Sequence, residues 1–188
     1  GDVYQGALPK RLVYATEQHP TMEAVYAHPM DVLWNFTPLD YDTYGALLDT
    51  PQLGARVLDL GCGVGRNALA LQEAGYDVFG VEVSAAAIER CRKLVRDPHQ
   101  FVVGTATSLP FEANTFDVVL DVGCLHCLPD DSDRQEALRE VRRVLVPRGR
   151  ILSRIFTPRP VQWLQHQPFQ ASSFGLTPER IEALFIRA

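Results

Sequence analysis

The stretch RVLDLGCGVGRNALAL, residues Arg56 to Leu71, decides the fold of this chain. A short apolar run typical of a buried strand (57–60) leads into a glycine-rich turn, and apolar residues at helical spacing follow. A strand that turns sharply into a helix brings backbone N–H groups and the positive end of the helix dipole to one point. Because glycine has no Cβ atom, a ligand can approach such a turn closely. The stretch therefore predicts a site for a nucleotide-like cofactor.

Strands and helices alternate after this stretch, which is typical of a parallel sheet covered on both faces. Further strands are expected over 77–83, 101–104, 116–123 and 150–156. Ser84 is placed as the N-cap of one helix and Asp130 opens the acidic cap of another. Pro147 and Gly149 are expected to end that second helix. The pattern predicts a doubly wound α/β domain over residues 46–188.

The first 45 residues differ in character, because they contain five of the six tyrosines together with Trp34 and Phe36. One interpretation is a helical segment that packs its aromatic side chains on the domain. The other is a lid that supplies walls to a substrate pocket, since aromatic residues line small-molecule sites. Residues 157–176 are a second expected wall, and a last short helix is expected to begin at Thr177.

Composition narrows the class of protein. The chain has 188 residues, of which 46% are hydrophobic, and this is ordinary for one globular domain. No apolar run approaches the roughly 20 residues that cross a bilayer, and the N-terminus lacks a secretory pattern. Four cysteines in a chain of this length are typical of reduced thiols rather than a disulfide framework. We expect a cytoplasmic protein with no membrane partner.

The charge distribution argues against a nucleic-acid partner, which normally requires a clustered basic face. The net charge is −5. The one possible exception is an arginine-rich stretch over 134–150. Because Glu136 and Glu140 are interleaved with these arginines on a predicted helix, a solvated helix face is favoured over a phosphate-binding one.

The spacing of the turn separates two classes of cofactor. A dinucleotide fold requires G-x-G-x-x-G, whereas residues 61–65 read GCGVG and are followed by Arg66. Glu82 ends the second strand about 20 residues further on, where a carboxylate can accept hydrogen bonds from ribose hydroxyls. Asp59 would repel a diphosphate but hold an ammonium or a sulfonium. The residues favour a nucleoside with positive charge.

At this point the sequence resembles the class I S-adenosylmethionine-dependent methyltransferases. VLDLGCGVGRNALAL resembles the first motif of that family, and VFGVEVSAAAIERC resembles its second strand with the ribose-binding acid. GTATSLPFEANTFDVVLDVGCLHCLPD is similar to the adenine-binding segment and fourth strand, and EVRRVLVPRGRIL to the element that ends in strand five. These blocks cover residues 55–155 in the family's order. The resemblance implies a Rossmann-like sheet of order 3-2-1-4-5 with S-adenosylmethionine across strands one and four.

The resemblance also implies which residues contact the methionine portion of the cofactor. Gly61 and Gly63 would let the backbone approach it, with Cys62 between them in the turn. Asp59 would lie near the methionine amine. Asp121, at the end of strand four, would face the same portion.

For the nucleoside portion, the resemblance implies that Glu82 holds the ribose hydroxyls and that Val83 touches the adenine. Ala106 would offer its backbone N–H to the adenine ring. Thr105 stands where many relatives have aspartate, so its hydroxyl would accept from the adenine amine without a charge. This departure predicts weaker cofactor binding.

A second departure concerns the end of the chain. The family normally finishes with a β-hairpin of two more strands, whereas this sequence stops at Ala188. Either the chain is truncated or these strands are not needed. Because an uncovered edge strand favours association, a homo-oligomer that covers strand five is one expectation.

The loop after strand four carries the candidate catalytic residue. His126 follows that strand beside the expected methyl position and is the best candidate for a general base, although it can also simply pack. Cys124 and Cys127 flank it and suggest either a metal or a soft metalloid substrate. The cluster lacks a second pair of ligands, so no metal site is expected.

These observations predict methyl transfer from S-adenosylmethionine to a small-molecule acceptor by in-line displacement. The sequence has no room for a nucleic-acid or protein-docking domain, which favours a small acceptor. Two alternatives stay open. One is a cofactor-binding module without catalysis, and the other is a nicotinamide-dependent oxidoreductase.

Overall fold

The computed structural model of the protein describes residues 22–27, 47, 52–128 and 130–155. In chain order the elements are α1 (Met22–Ala27), β1 (Arg56–Leu60), α2 (Arg66–Glu73), β2 (Asp77–Glu82), α3 (Ala85–Arg92), β3 (Phe101–Val103), β4 (Phe116–Val122), α4 (Asp131–Val144) and β5 (Leu145–Arg154). The expected wall over 157–176 and the helix from Thr177 lie outside the described residues, as does most of the aromatic N-terminal segment. No helix within the described ranges combines the length and hydropathy of a membrane span.

The five strands form one parallel sheet in the order β3-β2-β1-β4-β5. This confirms the expected order. From β1 the chain continues to β2 and β3 on one side of the sheet, and it then crosses to β4 and β5 on the other side. The point at which the strand order reverses therefore lies between β1 and β4. In a parallel sheet all carboxyl ends lie at one edge, and the side chains that follow β1, β2 and β4 are therefore brought together.

Helices cover both faces of the sheet, as expected. Successive residues of a strand point to opposite faces, and β1 shows this alternation. Val57 packs in a cluster with Leu71 of α2 and Ile88 of α3. Leu58 packs on the opposite face with Leu138 of α4. Because both faces of β1 are buried, its residues after Arg56 are apolar except for Asp59.

The expected start of strand five was wrong. Pro147 and Gly149 do not end α4, because β5 already begins at Leu145. Leu145 and Arg150 pair with two residues of β4 that are only two positions apart, so residues 146–149 bulge from the ladder. A proline cannot donate to the ladder and is tolerated at such a bulge. The sequence PRG therefore interrupts the pairing of β5 without delaying its start.

Ser84 caps α3 as predicted, and its loss gives a testable effect on stability. Its hydroxyl oxygen accepts a hydrogen bond from the backbone N–H of Ala87 at 3.1 Å. Replacing Ser84 with alanine removes this cap and the hydrogen bond that the hydroxyl donates to Glu23, so the free energy of unfolding should fall by at least about 1 kcal/mol, the usual value of an N-cap. Denaturant unfolding measures this change, and Ser108→Ala at an exposed serine is the matched control. Equal stability of the two variants would contradict the capping role.

Candidate cofactor site

The glycines in the turn between β1 and α2 are required partly because side chains of the protein pack closely against them. Its three glycines, within 61–65, all have positive φ angles of 71°, 53° and 85°. A Cβ atom on them would lie 2.7 Å from the Cβ of Cys124, 2.9 Å from the hydroxyl of Tyr26 and 2.6 Å from the thiol of Cys91, in chain order. Glycine is therefore required both by the backbone conformation and by close internal packing. Ligand approach is not the sole reason for these residues.

The first three backbone N–H groups of the turn donate hydrogen bonds inside the protein. Gly61 and Cys62 both donate to the carbonyl oxygen of Val81, at 2.9 and 3.0 Å. Gly63 donates to the carboxylate of Glu82 at 3.2 Å. A phosphate at a helix N-terminus needs several such donors. The hydrogen bonding of the turn therefore disfavours a diphosphate and with it a dinucleotide.

Asp59 lies beneath the turn with only 1% of its surface exposed. Its carboxylate accepts a hydrogen bond from the backbone N–H of Ala68 in α2. Burial, and then the neighbouring charge of Glu82, raise the pKa of Asp59 to about 7. Its Oδ2 atom is buried and accepts no hydrogen bond within the described part of the chain. The Asp59 carboxylate is therefore shielded from solvent beneath the turn.

Glu82 joins the second strand to the turn. Its Oε2 accepts from the N–H of Gly63 at 3.2 Å, and its Oε1 accepts from the N–H of Ser84 at 3.1 Å. The side chain is 6% exposed, and this burial raises the pKa of Glu82 while the two N–H groups oppose the shift. Each carboxylate oxygen has a second lone pair, so the group can accept further donors such as ribose hydroxyls.

Asp121 is fully buried and holds the loop after β4. Its Oδ1 accepts from the N–H groups of Cys124 at 2.8 Å and Leu125 at 3.2 Å, and its Oδ2 accepts from the hydroxyl of Ser153 on β5. Burial is the main cause that raises the pKa of Asp121. These bonds make Asp121 the anchor of the loop that follows β4.

The loop that Asp121 anchors presents uncharged groups. His126 is 6% exposed, and burial followed by the charge of Arg134 lowers the pKa of this imidazole to about 4. Its Nε2 lies 3.5 Å from the thiol of Cys127. Burial raises the pKa of the Cys124 thiol well above its usual value. At neutral pH His126 and Cys124 are therefore neutral.

Metal binding finds no support in this loop or elsewhere in the described ranges. No group of three or more His, Cys, Asp or Glu side chains there could hold a metal ion. The four cysteines are free. The Cys62 side chain is buried, and a hydrogen bond with Cys91 and burial raise its pKa. Cys62 thus takes part in the turn through its backbone while its side chain fills the core.

The candidate adenine wall consists of exposed apolar side chains at the ends of β2 and β3. Val83 is 58% exposed and Val103 is 50% exposed. Val103 pairs with Glu82 across the two strands, which places it at the same edge. Thr105 is exposed and its hydroxyl lies 2.9 Å from that of Thr107. Sequence reasoning missed Val103, although the end of an edge strand was a usable signal.

The polypeptide beyond Thr105 is fixed by two residues that sequence reasoning assigned to a solvated face. Ala106 is 7% exposed and packs in the core below. Glu140 accepts from the N–H of Leu109 at 2.7 Å. Arg143 donates to the carbonyl oxygens of Leu109 at 3.0 Å and Phe111 at 2.8 Å. Glu140 and Arg143 therefore hold the loop that contains Leu109 and Phe111, next to the candidate adenine wall. For these two residues the interpretation as a solvated helix face is corrected.

The site as a whole is an acidic edge. Asp59, Glu82 and Asp121 each lie within the last two residues of β1, β2 and β4, and the charges of Glu82 and Asp121 contribute to the raised pKa of Asp59. Such a cluster attracts a positive charge and repels an anion. Fold and site together define a Rossmann-like domain that is suited to a nucleoside cofactor with cationic character.

Comparison with known proteins identifies the family. The sequence profile described as "Methyltransferase domain" matches residues 58–153. The chain belongs to this family, and its resemblance to class I S-adenosylmethionine-dependent methyltransferases is confirmed. An uncharacterized methyltransferase of Bacillus subtilis, YcgJ, is 34% identical over 114 residues, covering 57% of this chain and 44% of YcgJ.

Further similar proteins and structures support the assignment to this family. The phthiotriol/phenolphthiotriol dimycocerosates methyltransferase of Mycobacterium tuberculosis (strain H37Rv) is 41% identical over 101 residues, covering 51% of this chain and 36% of that protein. The chain thus spans less than half the length of these curated relatives. The crystal structure of YcgJ superposes with a TM-score of 0.61 at 26% identity, covering 78% of this chain and 67% of YcgJ. A SAM-dependent methyltransferase of Methanosarcina mazei gives a TM-score of 0.51 at 32% identity, covering 55% and 53%.

Proposed function

We propose that this chain binds S-adenosylmethionine at the acidic edge of the sheet and transfers its methyl group to a small-molecule acceptor. The observation that carries the proposal is the hydrogen bond between Glu82 and a glycine-rich turn whose first three N–H groups already donate inside the protein. A ligand without phosphate and with positive charge suits this arrangement. Membership of the methyltransferase domain family supports the same cofactor.

The residues present fit this cofactor. The buried Oδ2 of Asp59, which accepts no hydrogen bond from the described residues, supplies negative potential that a sulfonium and an ammonium would offset. Glu82 would accept the ribose hydroxyls. Val83 and Val103 would contact the adenine, and Thr105 would accept from its amine. Because Thr105 carries no charge, the adenine end of the site should contribute less to affinity than it would with the aspartate of many relatives.

When bound, the cofactor supplies an electrophilic methyl group. The protein must hold an acceptor in line with that group and exclude water. Relatives named for phthiotriol and phenolphthiotriol dimycocerosates support a small-molecule acceptor. Neutral Cys124 and His126, on the loop held by Asp121, would face the acceptor without competing for the positive charge of the cofactor.

His126 is the proposed acceptor of the proton that the substrate loses. An imidazole with a pKa of about 4 is a weak base, yet it is unprotonated at neutral pH, which is the form that a general base requires. As the new bond forms, the proton on the acceptor atom becomes strongly acidic, so a weak base suffices to remove it. His126 would take the proton late in the displacement.

His126→Ala should lower kcat by about a hundredfold, the lower range for loss of a general base. The dissociation constant of S-adenosylmethionine should stay unchanged, because the imidazole would contact the acceptor and not the cofactor. Steady-state kinetics together with a cofactor titration separate the two quantities. If the variant keeps the full kcat, His126 is not the general base and serves only in packing.

Production of S-adenosylhomocysteine from methyl-labelled S-adenosylmethionine tests the proposed reaction. The protein is incubated with a panel of small thiols, alcohols, amines and chalcogen anions, and label in each acceptor is measured. We expect acceptor-dependent label in at least one class. Cofactor binding without label in any class would favour a binding module. Thermal protection by NADH, with none by S-adenosylmethionine, would favour an oxidoreductase.

A further inference from the structure

Arg134 is a buried cation near the start of α4. It is 5% exposed, so the interpretation of the arginine-rich stretch as a solvated face is wrong for this residue. Its partner Asp131 is 58% exposed, which leaves the guanidinium buried and its counter-charge in solvent. Burying a charge is costly, and the N-terminal end of a helix disfavours a cation. Stability of the fold alone therefore gives no reason for an arginine at this position.

The guanidinium holds the end of the loop after β4. Its Nη2 donates to the carbonyl oxygen of Leu128, and its Nη1 donates to the carboxylate of Asp131 at 2.8 Å. Its Nε is buried and donates to none of the residues that the structure describes. Leu128 directly follows the 3-10 turn Leu125–Cys127, against which α4 packs. The loop is therefore fixed at its start by Asp121 and at its end by Arg134.

The charged and titratable groups around His126 in the described structure come from its own loop, from β4 and from α4. The thiols of Cys124 and Cys127 are un-ionised at neutral pH, because burial and the neighbouring carboxylates raise their pKa values. The Asp121 carboxylate at the end of β4 accepts from the N–H groups that begin the loop. Arg134 of α4 is the charge that, after burial, lowers the pKa of His126. A fixed cation makes a second positive charge on a buried imidazole unfavourable.

We propose that Arg134 is the positioning residue for His126: its guanidinium fixes the loop that carries the imidazole, and its charge opposes protonation of that imidazole. This inference rests on the proposed function, in which His126 takes the proton that the acceptor loses. An imidazole that already carries a proton cannot accept another, so the buried cation preserves the reactive form. The cost of burying Arg134 is thereby explained by the site rather than by the fold.

Titration of the imidazole by NMR tests the electrostatic part of this inference without any ligand. His126→Ala identifies the His126 signal among those of the five histidines. In the wild type this signal should stay that of a largely neutral imidazole down to about pH 5, since the pKa is about 4. Arg134→Met removes the charge and should move the midpoint upward, towards the ordinary value of 6.5. An apolar side chain in place of a buried ion is generally tolerated, so this variant should fold.

Two variants control for the loss of the arginine side chain as such. Arg134→Lys keeps the positive charge and should leave the midpoint low. Arg139→Met removes an exposed arginine of α4 that pairs with Glu136, and it should also leave the midpoint unchanged. An unmoved midpoint in Arg134→Met, or an equal rise in Arg134→Met and Arg134→Lys, would overturn the inference and leave Arg134 a structural residue.

The pH dependence of methyl transfer tests the catalytic part. With an acceptor that is labelled, the acid limb of the kcat profile should move to higher pH in Arg134→Met and stay in place in Arg134→Lys. An unmoved limb in Arg134→Met would overturn the positioning role, even if the NMR midpoint rises. Failure of the proposed function looks different, because the midpoint would then rise in a protein that labels no acceptor at all.

Discussion

Replacing Glu82 with alanine should weaken S-adenosylmethionine binding by about a hundredfold. The ribose hydroxyls would lose the charged acceptor of their hydrogen bonds, which is worth about 1.5–3 kcal/mol of binding free energy. The N–H groups of Gly63 and Ser84 would lose their acceptor at the same time. The turn would then be less well ordered before binding, which adds to the loss. Calorimetric titration measures the change in dissociation constant.

Two further variants separate the causes of this effect. Glu82→Gln keeps an acceptor of similar shape but removes the charge, so a smaller loss of affinity is expected. Glu89→Ala removes an exposed carboxylate of α3 that pairs only with Lys93 in the described structure, and it should not change affinity. Unaltered binding by Glu82→Ala would show that the ribose does not lie at the end of β2.

Asp59→Asn should make the free protein more stable above neutral pH. The pKa of Asp59 is raised from 3.8 to about 7 in the folded state. Between these values the folded protein keeps a proton that the unfolded chain has released, so wild-type stability falls as the pH rises. Asparagine has no such titration. Between pH 5 and pH 8, the free energy of unfolding of the variant should therefore rise on the order of 2–3 kcal/mol relative to that of the wild type.

Thermal unfolding across this pH range checks the prediction, and the gain corresponds to roughly 5–10 °C in Tm for a chain of this size. The same variant should bind S-adenosylmethionine more weakly, because one of three negative charges is lost. Asp117→Asn, at a carboxylate away from the cofactor edge, is the control for the pH dependence. A Tm difference that does not grow with pH would contradict the burial of an ionisable Asp59.

The sheet and its helices could be predicted because each rests on a local pattern. Apolar runs such as 57–60 can only be buried strands when helices alternate with them, and Ser84 has the geometry and chemistry of an N-cap. The start of β5 was missed for a local reason as well. Proline and glycine normally end an element, and only the pairing of Leu145 with Phe116 shows that here they form a bulge.

The site was predictable only in part, because its details depend on contacts between distant residues. The position of Glu82 followed from the strand end. That the N–H groups of the turn would bond to Val81 and Glu82 was not visible, since the pattern fixes the turn but not its partners. Tyr26 was one aromatic among several in its segment. Its place over Gly63 depends on long-range packing that periodicity does not encode.

Calorimetric titration of the wild-type chain with S-adenosylmethionine, with NADH titrated in parallel, tests the central claim most directly. We predict saturable binding of one equivalent of S-adenosylmethionine and no saturable heat with NADH. The absence of heat with S-adenosylmethionine at millimolar concentration, or saturation by NADH instead, would contradict the account.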